Sequence, residues 1–168
     1  MDIVVNDTNI FIDLYSIGFL DDFFRLPIMV HTVDFVLNEI RQSPQQLALR
    51  RFKADGRLTV GEFSMEELAC VMELHNTAGG NVSLTDCAVW HYAKKNNCIL
   101  LTGDRQLRNK AISSNVTVKG IIYVFDQLLE HKIIDPKRAI AKLLDLQKIN
   151  PRLPKAIIRE RIEYWSKL

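Results

Sequence analysis

A chain of 168 residues has the length of one ordinary domain, enough to bury a continuous core and too little for two catalytic domains. Its 48% hydrophobic and 25% charged residues exclude a disordered or collagen-like chain. The formal net charge of +2, from 22 Lys and Arg against 20 Asp and Glu, lies too near zero to mark a nucleic-acid binder by total charge.

The chain opens on strand-like Ile3–Val5 with no basic leader or apolar signal stretch, and no later run is long and apolar enough to span a bilayer. A cytoplasmic protein, neither secreted nor membrane-embedded, is expected. A second strand, Ile28–Val30, precedes a stripe of helical spacing at Val33, Val36, Leu37 and Ile40; a third, Leu58–Val60, precedes another at Leu68, Val71, Met72 and His75. The turn-rich stretch from Gly79 to Ser83 leads into a helix running through Trp90 to Lys95. The fourth strand, Cys98–Leu101, lacks polar alternation, as expected of a parallel strand covered on both faces. A fifth, Val116–Val118, follows. After Gly120 the pattern is helical: Ile121–Lys132, Pro136–Gln147 and Pro154–Trp165, the last two opening on prolines suited to a first turn. Alternating strands and helices imply right-handed crossovers and a doubly wound parallel sheet of about five strands, a three-layer α/β/α fold with a C-terminal helical tail.

The cysteines Cys70, Cys87 and Cys98 are odd in number, widely spaced and set in apolar runs, which predicts buried thiols in a reducing compartment rather than a disulfide framework or zinc site. Phe11, Phe19, Phe23 and Phe24 exceed what one sheet face needs, so a homodimer is expected.

In open parallel sheets, ligands bind beyond the carboxyl ends of the strands. Asp7 follows the first strand in Asn6-Asp7-Thr8-Asn9, and Asp104 follows the fourth in Thr102-Gly103-Asp104. Both can face one crevice. Asp86 falls in the first turn of its helix, while Glu39 flanks the stripe after strand two on a side chain long enough to reach over the sheet edge. Taken singly, each is better explained otherwise: Asp7 and Asp104 as N-caps, Ser83 with Asp86 as a capping-box pair, Glu39 as a solvated helix residue. Their joint pattern points to chemistry, because capping does not require acids to gather at one edge, whereas a hard divalent cation requires several oxygen ligands there.

These segments resemble the PIN domains: Asp7-Thr8-Asn9-Ile10-Phe11-Ile12, Glu39 within Val36-Leu37-Asn38-Glu39-Ile40, and the stretch SLTDCAVWHYAKKNNCILLTGDRQL from Ser83 to Leu107. The resemblance covers residues 1 to about 132, and the helices beyond resemble the tail of one bacterial and archaeal subgroup. It implies a PIN-like catalytic domain over 1–132 and a helical extension over 133–168 packed on the same domain. It also implies a metal-dependent ribonuclease, often the toxin of a VapC-type pair with a cognate antitoxin protein as partner. Asp7, Glu39, Asp86 and Asp104 match the family's acidic quartet; Thr8 and Asn9 match the polar residues beside its first Asp, and Thr102 the hydroxyl residue before its last.

Phosphodiester hydrolysis needs a deprotonated water and a way to spread charge on the phosphate, which Mg²⁺ or Mn²⁺ supplies. Asp7, Asp86 and Asp104 are the expected principal ligands, Glu39 the group that completes a second position or orients water, and Thr8, Asn9 and Thr102 the outer support. Lys94, Lys95, Arg105 and Arg108 flank the acidic motifs and are candidates for holding RNA phosphates, though each alone is more ordinarily a solvated charge. The scattered histidines His31, His75, His91 and His131 are expected at the core edge or surface, Trp90 and Tyr92 in packing, and Trp165 against a partner. Two other readings compete. A phosphorylated receiver domain shares the sheet but needs an Asp after strand three, where Gly61 and Glu62 stand. A PIN-like module that binds RNA or protein without cutting is the stronger alternative.

Overall fold

The structure, a computed structural model, describes residues 2–168. The chain forms two compact units, one of Met1–Ile12 with Pro27–Gly120 and one of Asp13–Leu26 with Ile121–Leu168.

The first unit holds five parallel strands, β1 (Ile3–Asn6), β2 (Met29–Val33), β3 (Leu58–Gly61), β4 (Ile99–Leu101) and β5 (Val118–Lys119), in the order β3-β2-β1-β4-β5. Val4 pairs with Val30 on one side and Ile99 on the other, and Val4, Val5, Leu100 and Leu101 are fully buried at the sheet's centre. The chain builds outward from β1 to β3, then crosses back to β4, so the winding direction reverses between β1 and β4. Right-handed crossovers on the two sides of that reversal lay helices on both faces. Such a reversal opens a crevice beyond the strands' carboxyl ends. Into it lead α1 (Thr8–Ser16), which follows β1, α3 (Asp34–Glu39), which follows β2, α6 (Leu84–Asn96) and α7 (Arg105–Ser113), which follows β4. The remaining connections are α2 (Leu20–Phe23), α4 (Ser43–Ala54) and α5 (Met65–Ala78).

Two expected strands shift. β2 runs on from Val30 through His31, Thr32 and Val33, because its polar residues find long-range partners: Thr32 Oγ1 donates to the Asn6 carbonyl at 3.0 Å, and His31 Nδ1 lies 2.9 Å from the Tyr92 hydroxyl. β5 begins at Val118 rather than Val116. The stripe expected over Leu68, Val71, Met72 and His75 also differs. Only Val71 is buried and Met72 is 58% exposed, since α5 packs on α6 rather than on the sheet. Cys70, on the same helix, is exposed for that reason, whereas Cys87 and Cys98 are buried.

The second unit gathers α2, α8 (Ile121–Glu130), α9 (Pro136–Ile149) and α10 (Lys155–Trp165). Phe125 is its hub, with its ring centroid 5.3 Å from Phe19 and stacked 5.7 Å from Trp165. Trp165 is therefore a core residue here, not a partner-facing one, and its indole N–H donates to Asp126. Arg138 Nη2 donates to Asp22 at 2.6 Å with its guanidinium over the Phe19 ring, and Asn150 donates to Asp13. Phe11, Phe19, Phe23 and Phe24 are all at least 94% buried within the chain, so they leave no aromatic surface to motivate a dimer. Among the described residues, no helix is long and apolar enough to cross a membrane.

Candidate active site

Asp7 sits immediately beyond β1, and its amide extends the β1–β4 ladder by donating to the Leu101 carbonyl at 3.0 Å. The ladder thereby fixes where its side chain emerges, at the reversal between β1 and β4. The residue is 97% buried and both carboxylate oxygens accept: Oδ1 from the Thr8 amide at 2.7 Å, and Oδ2 from the Thr102 hydroxyl at 2.8 Å and from Asn9 Nδ2 at 3.1 Å. Thr102, itself buried, accepts in turn from the Asp104 amide, and Asn9 Oδ1 accepts from the Gly103 amide, both at 3.0 Å. Thr102 and Asn9 thus clamp the turn after β4 against the residue after β1.

Glu39, at the last position of α3 and exposed, accepts from the Thr8 hydroxyl at 2.7 Å through Oε2. Asp86 is the third residue of α6 and closes a capping box: the Ser83 amide donates to its Oδ2 at 2.7 Å and the Asp86 amide donates to Ser83 Oγ. Asp104 caps α7, its Oδ1 accepting from the Leu107 amide at 2.8 Å. Capping uses one oxygen of each of these two aspartates. A carboxylate offers about four lone-pair sites, so capping fixes the orientation of Asp86 and Asp104 while leaving Asp86 Oδ1 and Asp104 Oδ2 as acceptors.

Burial pushes Asp7 up to about 7, and the charges of Asp86 and Glu39 push the same way, against the opposing bonds from Thr102 and Thr8. Asp86 is also raised, by burial first and then by the charges of Asp104 and Glu39. Asp7, Glu39 and Asp86 therefore sit within electrostatic reach of one another, and Asp104 within reach of Asp86. The donor set is all oxygen and all anionic, which suits a hard divalent cation such as Mg²⁺ or Mn²⁺. Among the described residues, no three acidic, imidazole or thiol side chains are drawn close enough to enclose an ion as they stand. Like charges without a cation repel, and one oxygen each of Asp86 and Asp104 is held by its cap.

The basic candidates are differently placed. Lys95 is ion-paired with Glu67, and Arg108 donates to the Thr102 carbonyl at 3.2 Å, bracing the β4 turn; Lys94 and Arg105 are exposed. His75 and His131 are exposed, His31 and His91 half-buried, and Trp90 is buried and donates to Ser114. Two contacts lay outside the reach of sequence reasoning: the Thr8–Glu39 bond and an aromatic group formed by Phe35, Phe63 and His91 beside Glu39's helix.

A family model described as a PIN domain matches residues 3–167. Among solved structures, PAE2754 from Pyrobaculum aerophilum is 16% identical, with a TM-score of 0.54 over 76% of this chain and 96% of that chain. A PilT N-terminus domain protein from Sulfolobus solfataricus P2 is also 16% identical, with a TM-score of 0.49 over 77% of this chain and 95% of that one. VapBC2 from Rickettsia felis, solved bound to a DNA fragment from its promoter, is 19% identical, with a TM-score of 0.47 over 70% and 98%. No curated protein matches the chain.

Proposed function

This chain belongs to the PIN-domain family, and on that premise we propose that it is a metal-dependent ribonuclease that hydrolyses RNA phosphodiester bonds as the toxin of a toxin–antitoxin pair. The observation that supports the catalytic part is that Asp7 and Asp86, each raised first by burial, also feel acidic neighbours, Asp7 the charges of Asp86 and Glu39 and Asp86 those of Asp104 and Glu39. Such repulsion at a folded site is a destabilising arrangement that a bound cation relieves. In this reading residues 1–132 are the catalytic part and 133–168 a helical extension. The toxin role, with a cognate antitoxin partner in the cytoplasm, rests on the likeness of the sequence motifs to VapC-type proteins.

Asp7, Asp86 and Asp104 would hold Mg²⁺ or Mn²⁺, with Glu39 at the rim. A cation bound there supplies charge stabilisation for the phosphate and lowers the pKa of water. Thr102 and Asn9 hold Asp7 by hydrogen bonds, so the buried carboxylate is oriented before any ion binds. Thr8 holds Glu39 by one oxygen, leaving Oε1 to accept a hydrogen from an attacking water. Arg105, exposed and next in sequence to Asp104, and Lys94, exposed in the last turn of α6, are the cations proposed to hold the RNA backbone.

The capping bonds of Asp86 and Asp104 favour a second reading, a PIN-like module that binds RNA or protein without cleavage. One assay separates the two: purified protein with single-stranded RNA, with Mg²⁺ or Mn²⁺, with chelator, and with Asp7→Asn. Cleavage that needs metal and Asp7 supports the nuclease. Binding without cleavage in any metal supports the module. Induced expression that arrests growth only when Asp7 is intact tests the toxin role.

A further inference from the structure

Met65, Leu47 and Met72 are 82%, 70% and 58% exposed, the most exposed large apolar side chains of the first unit among the described residues. Leu47 lies on α4 and the two methionines on α5. These helices flank the edge strand β3 from opposite faces of the sheet: α4 returns the chain from β2 and packs on β3, whereas α5 opens the crossover back to β4 and packs on α6. They are also opposite in charge. Residues 41–57 hold Arg41, Arg50, Arg51, Lys53 and Arg57 with Asp55 as the sole acid, while residues 62–78 hold Glu62, Glu66, Glu67 and Glu73 with no Lys or Arg. Some of these charges are already engaged, Glu67 by Lys95 and the guanidinium groups of Arg51 and Arg57 by the Phe52 ring. Arg50, Lys53, Glu66 and Glu73 are exposed and carry no ion pair among the described residues. We infer that the β3 edge is an interface for a second copy of this chain, with α4 of each copy seated on α5 of the other.

Taken singly, each helix has an ordinary explanation for its charges. Arg51 and Lys53 in the last turn of α4, and Glu66 and Glu67 in the first turn of α5, offset the helix dipoles. That leaves the exposed Leu47, Met65 and Met72 unexplained. A basic face alone would suit any acidic partner, and an acidic face alone any basic one; what selects a second copy is that one edge carries both, so the patch is complementary to itself. The topology fixes the two-fold axis. An axis along the sheet normal would set α4 on α4 and α5 on α5, like charge on like. An axis along the strands sets α4 on α5 twice. α4 runs against the strands, since it starts after β2 ends and stops where β3 begins, and α6 does the same on its way to β4. Glu67 at the start of α5 pairs with Lys95 at the end of α6, so α5 runs with the strands. The two helices therefore meet antiparallel across the axis, the basic last turn of α4 toward the acidic first turn of α5. Leu47, Met65 and Met72 supply the apolar centre and the charges the rim, the anatomy of a specific interface. Both carboxyl edges, with their acidic sites, then face the same way.

The test uses the full chain in chelator and reductant, without RNA, so that neither cleavage nor a disulfide through the exposed Cys70 enters. Sedimentation velocity over a concentration series should give a monomer–dimer equilibrium that weakens about tenfold as salt rises from about 0.05 to about 0.5 M. Arg50→Glu with Lys53→Glu makes both helices acidic, and Glu66→Lys with Glu73→Lys makes both basic. Each pair should weaken dimerisation about a hundredfold with the melting temperature nearly unchanged. Mixing the two variants should restore a dimer, and so should all four substitutions in one chain, which exchange the charges of the helices. Wild type that stays monomeric across the series would overturn the interface and leave α4 and α5 to separate partners. So would a dimer that both variant pairs leave unchanged, which would place the contact elsewhere, or a folded quadruple variant that stays monomeric. The ribonuclease reading stands or falls separately.

Discussion

The Thr8 hydroxyl donates to Glu39 Oε2 at 2.7 Å across 31 residues of sequence, joining the start of α1 to the end of α3. Glu39 is exposed, and this bond is what holds its carboxylate toward Asp7. Thr8→Val should lower the RNA cleavage rate about tenfold while changing stability by no more than about 1 kcal/mol, the usual worth of one such bond. Thr8→Ser should restore the rate. Equal rates in wild type and Thr8→Val would remove Thr8 as a positioning residue.

Asp7 sets the pH behaviour of the metal-free protein. Its carboxyl is raised from 3.8 to about 7, chiefly by burial. Below pH 3.8 the group is protonated in both folded and unfolded chains and contributes nothing. Between about pH 4 and 7 only the unfolded chain ionises, so stability falls as pH rises, by roughly 4 kcal/mol in all at about 1.4 kcal/mol per unit. Asp7→Asn should therefore melt higher than wild type at pH 8 in chelator and match it near pH 4, while losing cleavage. A variant that melts lower at pH 8 contradicts this.

A proton on Asp7 competes with a cation. Mn²⁺ or Mg²⁺ should stabilise wild type by mass action, and the apparent affinity should weaken as pH falls below about 7. Calorimetric titration at pH 6 and pH 8 measures it; identical affinities would place the ion away from Asp7.

Asp86→Asn retains the shape needed for the Ser83 capping box but removes a charge that raises Asp7. In chelator it should melt no lower than wild type, less a capping-charge loss of about 0.3–1 kcal/mol. Its metal-induced rise in melting temperature should be much the smaller. Equal rises in both proteins would make Asp86 a helix cap and nothing more.

Gly61 offers a purely structural check. A Cβ there would lie 2.2 Å from Tyr92 Cε2, on the ring whose hydroxyl meets His31. Gly61→Ala should cost about 1–3 kcal/mol by overpacking, read from denaturant melts, and Gly61→Ala with Tyr92→Leu should recover part of it.

Much of the sheet was legible because parallel strands buried on both faces leave unbroken apolar runs such as Cys98–Leu101, and because Asp7 and Asp104 directly follow strands. What stayed hidden depends on partners distant in sequence. β2 continues through His31 and Thr32 only because Tyr92 and Asn6 satisfy them. Met72 looked like core from its spacing, but α5 lies on α6, which needs only Val71 from it. The phenylalanine surplus had no visible home until Phe125 and Trp165, over a hundred residues after Phe19, closed around it. At the acids, residue type and spacing gave the edge of the sheet; they could not assign oxygens, and so posed capping and ligation as rivals where Asp86 and Asp104 have an atom for each.

The hydrogen bond between Thr102 and Asp7 spans 95 residues. Its two halves are brought together by the β1–β4 pairing, in which the first strand made must wait at the sheet's centre for the fourth. Closing so long a loop is slow, and folds dominated by such distant pairings fold late and cooperatively. A ribosome-bound or truncated chain that ends before Thr102 has the first aspartate and its neighbours Thr8 and Asn9 but lacks both the Thr102 hydroxyl and Asp104. Assembly of the acidic edge thus waits for a single late step of synthesis.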